Sequence, residues 1–425
     1  MITVPSDGSP AAVERVRRAL LDALDGGPAV LPVDARHPRG DELRAAMAPE
    51  RPVEPNTAVV VPTSGSTGTP KGVLLAASAL VASAEATHRR LGGPGRWLLA
   101  TPVHYIGGLQ VLVRAHLAGT EPVVLDLASG FSPTAFAAAA GELLTRPGPH
   151  YTALVPTQLT RILVDPAATR AAAGFAAIVI GGARLDPGLR ARAERAGLRV
   201  RSAYGMSETA SGCVYDGVPL DGVRVRIGTG AGTGGVAGRI EIAGSVLAHG
   251  YRLRPDESAA TFRDGWLRTN DLGRLDAVGR LEVLGRVDDV INTGGVKVPA
   301  AEVERALTGH PAVLAACVVG VPDPEWGEAV AAAVVLGGGA GEGTMPGESR
   351  ADDSSARTTA GTDEPESAAS TAGPMGDRVR DELRAAVRTA VGAAGVPKRL
   401  EFVRELPTRG PGKPDRVAVR AMFEW

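Results

Sequence analysis

The 425-residue chain is poor in cysteine, lysine and aromatic residues, and it carries no excess of either charge. Its two cysteines, Cys213 and Cys317, exclude a disulfide framework and a cysteine-ligated metal centre, and they predict a reducing, cytoplasmic setting. A total of 46 basic against 47 acidic residues leaves a net charge of −1. That balance gives no electrostatic ground for a nucleic-acid or anionic-membrane partner. No apolar run approaches the roughly 18 residues that a membrane span needs. The first residues, MITVPSDGSP, lack the basic segment and apolar core of a signal peptide. The seven histidines include no pair at metal-ligand spacing, so zinc chemistry is not expected. Lysine is scarcest of the charged residues: only Lys71, Lys297, Lys398 and Lys413 occur, against 42 arginines. In such a background a retained lysine marks a place where a compact ammonium is wanted rather than a planar guanidinium.

What is present is an ordinary globular composition, 44% hydrophobic and 22% charged, at a length that predicts two or three domains. In the first half, short β-rich runs at 57–61, 97–100, 122–127, 151–155, 177–180 and 198–203 alternate with helical patterns at 75–91, 107–118, 133–145 and 187–196. Strands alternating with helices predict parallel sheets flanked by helices, with ligands at the carboxyl ends of the strands. From about residue 220 to 287, short strands between Gly and Asp turns predict an antiparallel β subdomain. The fold class is therefore α/β, with a large N-terminal domain over 1–287. A small α+β domain follows over 288–425, with helices at 299–308 and 377–391 and strands at 313–320, 328–336 and 400–404. Residues 337–376 contain no Leu, Ile, Val or aromatic residue, which predicts a disordered insertion.

The sharpest motif is Pro62-Thr-Ser-Gly-Ser-Thr-Gly-Thr-Pro-Lys71-Gly72, directly after the run AVVV. Small residues let a backbone turn tightly and aim N–H groups at an anion; hydroxyls and a lysine add donors and charge. It is not a Walker A loop, because Pro70 precedes Lys71 and Gly72 follows it. This segment resembles the phosphate-binding signature of the adenylate-forming superfamily of acyl-CoA synthetases, peptide-synthetase adenylation domains and luciferases. Further motifs of that family follow in order: Tyr204-Gly-Met-Ser-Glu-Thr209, Trp266-Leu-Arg-Thr-Asn-Asp271, Gly285-Arg-Val-Asp-Asp-Val-Ile291 and Pro411-Gly-Lys413.

The resemblance implies ATP, Mg²⁺ and CoA as cofactor and cosubstrates, and a carboxylic acid as substrate. It implies that Thr63, Ser64, Gly65, Ser66, Thr67, Gly68 and Lys71 hold the β- and γ-phosphates. Glu208 would hold Mg²⁺; taken alone it is as readily a helix-capping charge. Tyr204 would stack on the adenine, with the backbone of Gly181 and Gly182 along the base, and Gly205 and Ser207 would also bind ATP; the alternative for Tyr204 is ordinary core packing at a strand end. Asp271, assisted by Arg286, would accept from the ribose hydroxyls. Lys413 would neutralise charge between the carboxylate and the α-phosphate, with Asp288 as hinge. Gly294, Gly295 and Lys297 would line a thiol tunnel, although a Gly-Gly pair is equally a plain β-turn. Ser207 stands where the family usually has threonine, and Asn270 where it usually has glycine.

Within the superfamily, the stretches 100–110, 154–159, 213–222 and 320–327 resemble the ligases that join 2-succinylbenzoate to CoA in menaquinone synthesis, in their short actinobacterial form. Only about 60 residues precede the phosphate motif, which fits that form. The acyl pocket is then expected to be partly apolar, with His104 as its gate and Thr157, Gln158 and Ser211 in its wall. Another aryl- or acyl-CoA ligase of the superfamily, and a carrier-loading or non-catalytic adenylate-binding module, stay open as alternatives; the remaining expectations are small-molecule partners, no nucleic acid, no membrane, and a homodimer left open.

Overall fold

The computed structural model describes residues 1–425 except 39, 65–69, 229–236, 338–373, 409–413 and 425. It falls into two compact units, Met1–Val290 with Thr408–Pro414, and Ile291–Pro407 with Asp415–Trp425.

The larger unit contains three sheets. One has seven strands, in the order Val218–Pro219, Ser211–Tyr215, Val200–Met206, Ala177–Ile180, His150–Leu154, Arg96–Leu99, Val123–Val124. Its five last strands run parallel. Alternate residues of these strands point to opposite faces, as the two-residue period of a strand requires. Trp97, Leu99, Tyr151, Ala177 and Val179 pack into one core with the helices Ala77–Leu91 and Ile106–Leu117. Leu98, Leu154, Ile178 and Ile180 pack into another, with the helices Pro133–Leu144 and Pro156–Val164. Both faces are covered, which explains why these strands read as largely apolar, buried runs and not as alternating ones. Several helices are started by the same local device. Ser9, Ser132, Asp165 and Asp186 each accept a backbone N–H of the first turn, and each is followed by a proline. The cap satisfies a donor the helix cannot, and proline at the first position has no donor to lose.

A five-stranded sheet joins Ile2–Ser6, Val30–Asp34, Val59–Ser64, Pro70–Leu75 and Gly250–Tyr251 in that order. Here the phosphate motif departs from the expected strand-then-helix pattern. Val59–Ser64 and Pro70–Leu75 form an antiparallel hairpin, with Thr63 opposite Lys71, and the helix begins only at Ala77. The third sheet is antiparallel, with Val223–Gly228, Gly238–Gly244, Trp266–Leu275, Phe262–Arg263 and Leu281–Arg286.

The smaller unit is built on the long hairpin of Val313–Asp323 and Gly327–Leu336, joined in parallel by Arg399–Phe402. Ala300–Thr308 and Pro374–Val391 cover one face through Val303, Leu307, Leu383 and Val387. Val419 and Phe423 cover the other against Cys317, Ala331 and Ala333. The insertion expected at 337–376 falls mostly on 338–373, outside the described residues; its last residues belong to the helix that begins at Pro374. No described helix is long and apolar enough to cross a membrane.

Candidate active site

Two groups of sequence-selected residues meet in the larger unit, both attached to the segment 204–208. Tyr204 lies on the strand Val200–Met206, which pairs antiparallel with Ser211–Tyr215. The chain reverses between them through a short turn, Ser207–Thr209, and two left-handed residues, Ala210 and Ser211. Thr209 secures the reversal: its Oγ1 accepts the Met206 N–H at 2.9 Å and donates to the Ser211 carbonyl at 2.7 Å. The strands approach so closely that a Cβ at position 205 would collide with the Ser211 carbonyl oxygen, so Gly205 is obligatory there.

The first group is a hydrogen-bonded set around Asp271. The Tyr204 hydroxyl donates to Asp271 Oδ2 at 2.8 Å. Arg286 sits directly opposite Asp271 across the Trp266–Leu275 and Leu281–Arg286 pairing, and its Nη1 lies 3.6 Å from Oδ1. Arg286 also donates to Asp288 at 3.1 Å, and the Asn270 amide reaches the same oxygen at 3.4 Å. Burial, with the Asp271 carboxylate second, holds the Tyr204 hydroxyl well above the usual phenol range, so it remains a donor.

The second group is a run of charges. Lys71 is paired with Glu257, and its ammonium stands 5.1 Å over the Tyr251 ring. The Tyr251 hydroxyl donates to Glu208 Oε1 at 2.9 Å. Glu257 has a second cation, Arg254, at 3.0 Å, and Arg254 also donates to the Pro70 carbonyl at 2.8 Å. Burial pulls the Glu257 carboxyl up, but Lys71 and Arg254 outweigh it and leave it below the usual range. Glu208 is held through its backbone as well, its carbonyl accepting the Ala248 N–H at 2.8 Å.

Other selected residues lie apart from these groups. His104 is buried, with Nε2 3.7 Å from Asp34 Oδ2 and its ring against Tyr105. Burial pushes its imidazole down to about 4 against the pull of Asp34. Gln158 uses both ends of its amide on the backbone, accepting from Val155 N at 2.9 Å and donating to the Ala100 carbonyl at 2.7 Å. It locks the start of its helix, while Thr157 beside it is exposed. Gly181 and Gly182 follow the strand Ala177–Ile180, with Gly181 N–H bonded to the Leu154 carbonyl. In the smaller unit, Gly294 and Gly295 are both left-handed and form a two-residue hairpin turn; Lys297 on the next strand is exposed. The Gly294 N–H donates to the Trp326 carbonyl, and Lys398 sits 4.7 Å over the Trp326 ring and 3.4 Å from Asp323. Asp288 lies in the turn Val287–Asp289, just before the unit boundary. Gly65, Ser66, Thr67, Gly68 and Lys413 lie outside the described residues.

Residues 8–252 match the model of the AMP-binding enzyme family, and residues 302–352 match that of the AMP-binding enzyme C-terminal domain. The chain belongs to the AMP-binding enzyme family. Among its curated relatives is a probable 2-succinylbenzoate–CoA ligase of Mycobacterium tuberculosis, 40% identical over 99% of this chain and 97% of that one. A medium/long-chain-fatty-acid–CoA ligase of the same organism is 33% identical over 98% of this chain and 72% of its own length. Among solved structures, an amide bond synthetase from Marinactinospora thermotolerans superposes with a TM-score of 0.70 at 30% identity, covering 98% and 79% of the two chains. The o-succinylbenzoate–CoA synthetase of Bacillus subtilis shares the fold, with a TM-score of 0.67 at 24% identity over 95% and 80%. Tyr251, Glu257 and Arg254 were not legible as site residues from the motifs. The one available signal was that a scarce lysine placed in a partly buried position needs a carboxylate nearby.

Proposed function

We propose that the protein joins 2-succinylbenzoate to CoA in menaquinone synthesis, releasing AMP and diphosphate through an acyl-adenylate. The observation that carries this reading is the end-to-end 40% identity with the Mycobacterium tuberculosis relative of that name. The site geometry supports the general chemistry. In the first half-reaction a carboxylate oxygen attacks the α-phosphorus and the bond to the β-phosphate oxygen breaks. In the second, the CoA sulfur attacks the acyl carbon and AMP leaves. An anion attacking a polyanion needs charge neutralisation and alignment above all.

In this reading Lys71 holds the β- and γ-phosphates together with Thr63, Ser64 and the 65–69 segment. Tyr204 and the 181–182 backbone flank the adenine, with Gly205 and Ser207 shaping that wall. Asp271 and Arg286 hold the ribose. Glu208 would hold a magnesium ion through Oε2, its Oε1 being engaged by the Tyr251 hydroxyl. Such an ion binds through one or two carboxylates plus substrate phosphates, and it would supply neutralisation of phosphate charge. Lys413 serves the adenylation step, Asp288 the hinge between half-reactions, and Gly294, Gly295 and Lys297 the thiol tunnel. His104 gates the acid pocket, with Thr157, Ser211 and the backbone positioned by Gln158 in its wall. The cytoplasm is the proposed location.

The test is pyrophosphate release measured acid by acid, then CoA dependence of thioester formation. 2-Succinylbenzoate should give the highest kcat/KM. A higher value for a medium-chain fatty acid would favour the second reading, which the 33% relative supports. The variant Lys413→Ala should lose adenylation while still forming thioester from supplied acyl-adenylate; equal loss of both steps would remove Lys413 from its role.

A further inference from the structure

Tyr251 touches both charged elements of the phosphate end. Its hydroxyl donates to Glu208 Oε1 at 2.9 Å, and its ring face carries the Lys71 ammonium at 5.1 Å. The residue is itself fixed from several sides. It lies on the short strand Gly250–Tyr251, opposite Val73 on the Lys71 strand. Its N–H donates to Ser258 Oγ at 2.8 Å, and Ser258 donates in turn to the Arg254 carbonyl at 2.7 Å. Its ring packs on Phe262 with centroids 5.6 Å apart, and the side chain is buried. A buried, anchored ring with one polar atom has few ways to move, so whatever it contacts takes its position from it.

We propose that Tyr251 is a positioning residue that sets the separation and orientation of the phosphate-holding ammonium and the metal-holding carboxylate. The inference rests on the roles given above to Lys71 and Glu208. A carboxylate on a flexible side chain has two oxygens and several rotamers. The Tyr251 hydroxyl engages Oε1 and so holds Oε2 in one place for a hard cation. The ring face, negative at its centre, holds the ammonium of Lys71 from below while Glu257 holds it from the side. Glu257 can surrender Lys71 to incoming phosphates without being left uncompensated, because Arg254 remains beside it. One tyrosine thereby links two groups whose charges are opposite and whose ligands, a cation and a polyphosphate, must meet at a fixed distance.

The two contacts are separable by substitution. Tyr251→Phe removes the hydroxyl and keeps the ring; Tyr251→Leu removes both. Calorimetric titration of ATP into the full-length protein, with Mg²⁺ and then with EDTA, reads binding apart from turnover. Tyr251→Phe should weaken Mg–ATP binding about tenfold, equivalent to about 1.4 kcal/mol, and leave binding in EDTA unchanged. It should also raise the Mg²⁺ concentration for half-maximal pyrophosphate release while leaving the KM for the acid unaltered. Tyr251→Leu should weaken binding in both conditions. Wild-type Mg–ATP binding by Tyr251→Phe, or equal loss with and without Mg²⁺, would overturn the proposal. Glu208→Ala serves as the control on the underlying reading. If that variant keeps full Mg²⁺-dependent adenylation, the role of Glu208 fails; if it is inactive while Tyr251→Phe is unchanged, only the positioning role fails.

Discussion

The two ends of the candidate nucleotide site are built on different principles. Around Asp271 the groups complete one another: a tyrosine hydroxyl, an arginine and an asparagine form a closed set with two aspartates. Around Lys71 the contacts form an open run of alternating charge, from Arg254 through Glu257 to the ammonium and across Tyr251 to Glu208. A closed set suits a neutral sugar, which exchanges one hydroxyl for another with little change in charge. An open run suits a polyphosphate, whose charge must be met by groups that can change partner. Binding should dominate at the first end and transition-state stabilisation at the second.

The largest effect should separate the two. Lys71→Ala should lower kcat for adenylation by roughly 10²–10³, as removal of a preorganised charge does. Asp271→Ala should act mainly on the KM for ATP, by about 10-fold or more, the loss of a charge-assisted hydrogen bond. If steady-state kinetics show Asp271→Ala lowering kcat as far as Lys71→Ala, the contrast is broken.

The next effect concerns what stands behind the phosphate end. Arg252, next to Tyr251, has no exposed side-chain surface and donates to the carbonyls of Met47, Ala48, Arg51 and Pro52 and to Glu54. Arg114 is also fully buried, yet its Nε and Nη2 have no partner and its guanidinium rests 5.1 Å over Trp97. Removing Arg252 breaks five hydrogen bonds around a fully buried guanidinium site, one of them to the buried Met47 carbonyl and one to Glu54, so Arg252→Ala should cost about 3–5 kcal/mol in chemical denaturation. Arg114→Met should cost far less than Arg252→Ala, since it removes a desolvated charge that among the described residues has Tyr215 and no carboxylate beside it. Equal losses in the two variants would show that burial alone, not pairing, sets the cost.

The smallest effect is in pH. Burial lowers the imidazoles of His88 and His104 from 6.5 to about 4. The unfolded chain then binds more protons between those values, so stability is complete above pH 6.5 and declines as pH falls toward 4. His88→Gln should flatten that slope in thermal melts without altering the KM for ATP; an unchanged slope would count against the buried neutral state.

Much of this was readable in the chain. Ala177–Ile180 is apolar at every position, and His150–Leu154 is buried at every position with only His150 and Thr152 polar, because helices cover both faces. The segment after Lys71 was not so readable, since Gly72–Leu75 is a short apolar run that suits a strand or the start of a helix. The larger compact unit runs to Val290, and the turn Val287–Asp289 is bonded to it through Arg286 and Asn270. Motifs carried Tyr204, Glu208 and Asp271 into view because each sits in a recognisable string. Tyr251 and Glu257 come from a segment without such a string, and only the fold brings them to Lys71. Gln158 looks like a pocket amide in sequence; its backbone hydrogen bonds appear only once strand and helix are joined.

Trp326 has an optical consequence. Its indole is 41% exposed, whereas Trp97 is fully enclosed and the half-buried Trp266 lies under the guanidinium of Arg226. Its ring touches the Gly294 turn and carries the ammonium of Lys398. Emission from Trp326 should therefore lie at longer wavelength than that of the enclosed Trp97, and in a Trp266→Phe background it reports on that glycine hairpin without an added dye.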